Sequence, residues 1–102
     1  MPPLQQQLYN LLREIPKGKV STYKDMATYL GVPTKSRWIG RLLGMNDEPH
    51  TYPCYKVVSS DGSLTGYSAP GGIISKRKKL EEDGVRFKSN GKVDLAISRW
   101  TI

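Results

Sequence analysis

A mainly α domain with a small β component, a winged helix-turn-helix, is the fold this sequence predicts, and three observations predict it. Two short helical patterns flank the tight turn Gly31-Val32-Pro33-Thr34, the second pattern carries Lys35, Arg37 and Arg41, and Ser60-Asp61-Gly62 soon afterwards separates two strand-like stretches. Two helices across a tight turn with a hairpin beyond them make that arrangement. The 102 residues, 37% hydrophobic and 25% charged, suit one small domain over the whole chain with a modest core. Its helix-turn-helix falls at about 22–45, and a loop with the wing at about 49–66.

The first helix is predicted over residues 3–15, because Leu4, Leu8, Leu11, Leu12 and Ile15 recur at helical spacing and form one apolar stripe. Pro16 and Gly18 end it. Thr22 with Asp25 three residues later resembles a capping box, and Gly31 followed by Pro33 is a stop, so a second helix is expected over 23–30. Thr34 or Ser36 can cap a third helix to residue 44 or 45, with Trp38, Ile39, Leu42 and Leu43 as its apolar positions. Pro49 and Pro53 make the following segment loop. Lys56 to Ser59 and Ser63 to Thr65 are the expected strands of the wing, joined through Asp61-Gly62. After a Gly- and Pro-rich loop, residues 73–83 read as a helix with Ile73, Ile74 and Leu80 facing inward and Gly84 as its stop. Val85 to Phe87 and Val93 to Ile97 around Asn90-Gly91 predict a closing hairpin.

Charge narrows the function. The chain carries a formal net charge of +7, and between Lys17 and Arg41 six basic residues face the single acid Asp25, a local +5. Such clustering suits a polyanion, although a solvated basic face gives the same count. Lys76-Arg77-Lys78-Lys79 differs, because Lys78 to Glu82 and Lys79 to Asp83 fall one helical turn apart and can pair locally. One Cys excludes an internal disulfide, and one His leaves too few ligands for a typical structural zinc. No apolar run reaches membrane-spanning length and the N-terminus lacks signal-peptide character, so a cytoplasmic protein is expected, nucleoid-associated or nuclear in a eukaryote.

The lone Cys54 stands in Tyr52-Pro53-Cys54-Tyr55-Lys56-Val57-Val58. Taken alone it reads as a buried structural thiol. Together with Gly18-Lys19-Val20-Ser21-Thr22-Tyr23, Ser36-Arg37-Trp38-Ile39-Gly40-Arg41, Asn46, Gly66-Tyr67-Ser68 and Leu80-Glu81-Glu82-Asp83-Gly84-Val85, in that order and spacing, it resembles the DNA-binding and active-site domain of the alkylguanine-DNA alkyltransferases. The resemblance implies a winged helix-turn-helix that binds duplex DNA, flips out an alkylated guanine and moves the alkyl group from O6 to a cysteine, once per protein and with no metal or cofactor. It implies a monomer, with room for a repair-protein partner. Cys54 matches the acceptor, Arg37 the arginine that fills the gap in the stack, and Tyr23 the tyrosine that turns the 3′ phosphate. Thr22, Lys35, Arg41 and Lys56 are the further expected DNA contacts. Asn46 matches the asparagine bracing the active-site turn, and Tyr67 and Ser68 match residues of the guanine pocket.

Departures from the family fall on thiol activation. Tyr55 stands where the family has His, Lys56 where it has Arg, and Asp83 where it has Glu. A free thiol with pKa about 8.5 is a few per cent thiolate at neutral pH, and the family's Glu-His-water relay raises that fraction. A phenol with a reference pKa near 10 is a poor substitute base. Lys56, as a nearby cation, and His50 are the candidate substitutes. Three functions follow: an alkyltransferase using Cys54; an alkyltransferase-like protein that binds the lesion without transfer and flags it for excision; and a winged-helix transcription factor whose Cys is incidental.

Overall fold

The computed structural model describes residues 3–48, 51–64 and 71–102. Helix α1 (Leu4–Leu12) buries Leu8, Leu11 and Leu12 along the stripe expected for it. It stops short of Ile15 because Arg13, Glu14 and Ile15 donate to the carbonyls of Asn10, Leu11 and Leu12, a tightened last turn ahead of Pro16.

Strand β1 (Ser21–Thr22) leads directly into α2 (Tyr23–Tyr29). Thr22 Oγ1 accepts the Asp25 N–H at 3.0 Å, so the expected cap is formed. At the other end Gly31 takes φ +80°, Gly31 N–H reaches Thr28 O and Val32 N–H reaches Ala27 O at 2.8 Å. That pair of bonds is a complete Schellman stop, and it turns the chain sharply into α3 (Ser36–Gly44). Neither Thr34 nor Ser36 caps α3; Lys35 holds the cap position without a side-chain bond. Ile39, Leu42 and Leu43 face inward as expected, but Trp38 is 47% exposed.

The wing differs from its prediction. Strand β2 (Val57–Val58) pairs in parallel with β1, Ser21 opposite Val57, and not with a return arm. The Ser59 to Ser63 turn does close, with Gly62 N–H on Ser59 O and Ser59 N–H on Ser63 O, but Gly62 O then accepts the Val93 N–H. Residues 63 and 64 form no strand, and Thr65 lies outside the described residues. The closing hairpin is also shorter than predicted. Phe87 and Val93 form a single antiparallel bridge, after which Asp94 accepts the Ala96 N–H and starts helix α5 (Leu95–Ser98) where a strand was expected. The chain then returns to the residue just before β1, with Trp100 N–H on Val20 O at 2.8 Å.

Helix α4 (Gly72–Glu82) follows the predicted span but turns a different face inward. Leu80 is buried, whereas Ile73 and Ile74 are 50% and 84% exposed and the inward position one turn before Leu80 is filled by Lys76. Gly84, at φ +92°, completes a second Schellman stop through Val85 N–H on Leu80 O. Of the local ion pairs on α4, the described residues show Arg77 with Glu81 at 3.7 Å in place of the expected Lys78 with Glu82 and Lys79 with Asp83, and Asp83 points to Lys56 instead.

Two apolar clusters result. Leu8, Leu12, Met26, Ile39 and Val57 belong to the first, and Val20, Val58, Leu80, Val85 and Val93 to the second. The adjacent residues of β2 therefore serve different clusters, which fixes the segment just before β2 at the seam between them.

Candidate active site and nucleic-acid interface

That segment is a single 3-10 turn, Cys54–Lys56. Pro53, at φ −76° and ψ 71°, is the centre of an inverse γ-turn in which the Cys54 N–H bonds to Tyr52 O at 2.8 Å. Asn46 holds the same carbonyl from the end of α3, its Nδ2 donating to Tyr52 O at 2.7 Å while its Oδ1 accepts the Glu48 N–H. Proline's fixed φ and the asparagine clamp together set where Cys54 begins its turn. The thiol is half-buried and packs against the first cluster.

Lys56 departs from its expected role. It is 3% exposed, and its ammonium meets Asp83 Oδ2 at 2.9 Å, Pro16 O at 2.7 Å and Ile15 O at 3.4 Å. All three protons have protein acceptors, so Lys56 is an internal tie between the 3-10 turn, the end of α1 and the end of α4, and not a DNA contact. Asp83 is committed in the same way, since its Oδ2 also accepts the Gly18 N–H at 2.8 Å. Thr22 is corrected too: it is 3% exposed and its hydroxyl is occupied as the α2 cap, so it places Tyr23 and has no side chain to offer a phosphate.

Tyr55 cannot act as the base the family's His provides. Burial, then the negative charges of Asp83, Cys54 and Glu82, push its phenol above the ordinary value of 10 and keep it protonated. Lys79 Nζ lies 5.7 Å from the centre of its ring.

The residue that sequence reasoning missed is Lys76. It is 1% exposed, donates from Nζ to Val57 O at 2.7 Å, and sits 5.9 Å from the centre of the Tyr23 ring. Helix α4 packs directly on the 3-10 turn. Burial lowers Lys76 from 10.5 to about 8, and charge on Cys54 pulls it back upward. The Cys54 turn therefore has a buried lysine beside it. The signal for it was present in the sequence: Lys76 and Leu80 are one turn apart, on the stripe that α4 turns inward.

Tyr23, at the first position of α2, packs on the first cluster and close to Gly40 of α3. Lys35, Arg37 and Arg41 are exposed and form no ion pair with any described residue. Arg37 and Arg41 share the face of α3 opposite Ile39, Leu42 and Leu43. Tyr67, Ser68 and His50 lie outside the described residues.

Residues 3–85 match the family model for the DNA binding domain of 6-O-methylguanine DNA methyltransferase. The chain belongs to this family. Among its relatives is a "Bifunctional methyltransferase/endonuclease" of Thermoplasma volcanium, 48% identical over 84% of this chain and 26% of the relative; one from Picrophilus torridus is 46% identical over 91% of this chain. The chain thus spans 26% and 30% of the length of these two relatives. A "DNA base-flipping protein" of Vibrio parahaemolyticus is 35% identical over 92% of both chains. Solved structures share the fold. S. pombe Atl1 in complex with damaged DNA containing O6-carboxymethylguanine has a TM-score of 0.83 at 29% identity over the full length of both chains. Mycobacterium tuberculosis OGT in complex with DNA has 0.75 at 34% identity over 82% of this chain and 51% of that one. The fold is that of the alkyltransferase DNA-binding domain, mostly helical with a two-stranded sheet.

Proposed function

We propose that this chain binds duplex DNA through α3, turns out an O6-alkylguanine with Arg37 and Tyr23, and accepts the alkyl group on Cys54. The observation that carries the transfer step is the buried Lys76 beside the Cys54 turn. In this reading the Cys54 thiol passes its proton to the neutral form of Lys76, and the resulting ammonium faces the thiolate. Sulfur then bonds to the alkyl carbon as the carbon–O6 bond breaks, and the electron pair stays with the guanine, which takes up a proton. Asn46 and the Lys56–Asp83 tie hold the turn, while Tyr55, kept as a phenol, remains a hydrogen-bond donor. Tyr67 and Ser68 stay assigned to the guanine pocket on resemblance.

A second reading, lesion binding without transfer, is favoured by one observation: the family's His is replaced by a residue held protonated. The two readings share every DNA contact and differ only at Cys54. The transcription-factor reading has no support from the family model or the relatives described above.

The shared part is tested by competition between a duplex carrying one O6-methylguanine and its unmodified twin. Binding is expected to fall steeply with salt, because Lys35, Arg37 and Arg41 would displace counterions from phosphates. Arg37→Ala is expected to erase most of the lesion preference, with a loss of about tenfold or more if the guanidinium recovers part of the few kcal/mol of unstacking. Equal binding of both duplexes by the wild type, or a lesion preference unchanged by the substitution, would remove α3 from the flipping role.

A further inference from the structure

Trp38 lies beside Arg37 on α3, yet it does not join the core. It is 47% exposed, and neither apolar cluster includes it, although its helix contributes Ile39, Leu42 and Leu43 to the first. Trp100, by contrast, packs against that first cluster. At about 100° per residue, Trp38 stands some 60° around the helix from Arg41 and 100° from Arg37. Met45, 65% exposed, falls two turns further along on the same edge. The outward side of α3 therefore has a basic strip formed by Arg37 and Arg41 and an apolar edge formed by Trp38 and Met45. A duplex close enough to meet both arginines must also cover the indole.

We propose that Trp38 is a DNA-contacting residue that lays its indole against the deoxyribose and base edges next to the position Arg37 enters. The inference rests on α3 being the DNA-facing helix and adds a contact to that reading. The chemistry favours this target over a phosphate. An indole has a flat apolar face and one N–H donor but no charge, so it suits sugar and base edges, while the adjacent guanidinium groups suit the phosphates. Proteins that kink DNA regularly combine arginines with an apolar wedge in this way. The part of the indole left in water beside the cationic strip is buried when a polyanion with apolar faces closes over the strip.

The test uses the full chain with the O6-methylguanine duplex and its unmodified twin, comparing wild type, Trp38→Ala, Trp38→Phe and Arg37→Ala, with thermal melting as the folding control. Trp38→Ala is expected to stay folded and to lose about tenfold in affinity for the lesion duplex, the scale of one aromatic side chain buried in a contact. Trp38→Phe is expected to keep most of the affinity, within about threefold. Because Trp38 meets no phosphate, the dependence of log affinity on log salt should keep its slope in Trp38→Ala and become shallower in Arg37→Ala. Tryptophan emission should change when wild type binds DNA, and that change should vanish in Trp38→Phe. Unaltered affinity in Trp38→Ala, or an emission change that persists in Trp38→Phe, overturns the proposal even if Arg37→Ala is impaired. A folded wild type that binds neither duplex overturns it together with the reading it rests on.

Discussion

Asp83→Ala is expected to destabilise the fold by about 1–3 kcal/mol, because it leaves the buried Lys56 ammonium without its carboxylate, while Asp83 itself is partly solvated at 19% exposure. Lys56 is 3% exposed, and without Asp83 its ammonium would keep two carbonyl acceptors but no countercharge. Gly18 N–H would lose its acceptor as well. Small domains have only about 5–15 kcal/mol in total, so the variant should populate unfolded chain at temperatures where the wild type is intact. Urea unfolding followed by circular dichroism measures the difference. The double variant Lys56→Met, Asp83→Leu is expected to recover most of the loss, since a well-packed apolar pair commonly equals a buried ion pair. A loss below about 1 kcal/mol in the single variant would place the pair with exposed salt bridges and remove its role in holding the Cys54 turn.

Lys76→Met is expected to have opposite effects on chemistry and on stability. If Lys76 accepts the thiol proton, alkyl transfer to Cys54 should slow by about 100-fold at neutral pH, the scale of a lost general base. The deficit should narrow as pH rises and hydroxide takes over the deprotonation. A purely structural lysine would give a deficit that does not depend on pH. For stability the sign follows from the depressed value. Folded Lys76 releases its proton near 8, whereas the unfolded side chain holds it to 10.5. The unfolded chain therefore binds more protons between those values, so stability rises with pH through that window, and the cost of burying the charge is fully present below about pH 8. At about 1.4 kcal/mol per pH unit, that cost is about 3 kcal/mol, offset in part by the bond to Val57 O. The stability difference between wild type and Lys76→Met should accordingly shrink from pH 8 toward pH 10, as read by urea unfolding at each pH. A difference that stays flat across this window would contradict the depressed lysine.

Features encoded within a few residues were legible in the sequence. The leucine stripe of α1, the Thr22 cap, the Gly31 and Gly84 stops and the inward face of α3 each depend on spacing over a turn or two, and the structure places them as expected. What escaped was set by distant partners. Val57 and Val58 pair with Ser21 and Thr22, far back along the chain, and no local turn chemistry announces a parallel pair. The alternating Val93, Leu95 and Ile97 suggested a strand, but Asp94 bonding the Ala96 N–H turns the backbone into a helix first. Lysine misled twice: Lys56 was expected to meet DNA or to stand as a cation near the thiol, and Lys76 was read within a locally paired basic run, whereas each buries a long apolar stem and bonds its ammonium to carbonyls or a carboxylate. Cys54, Arg37, Tyr23 and Asn46 were singled out by resemblance, while the place of Lys76 beside the Cys54 turn needed the packing of α4 on that turn.

The most direct test of the central claim is the intact mass of the protein after incubation with excess duplex carrying a single O6-methylguanine, with Cys54→Ser as control. Transfer predicts a gain of one methyl group in the wild type, none in the control, and equal loss of O6-methylguanine from the duplex. An unchanged mass in a protein that binds the lesion duplex in preference to its twin would contradict transfer, and would leave a lesion-binding protein with a cysteine at the acceptor position.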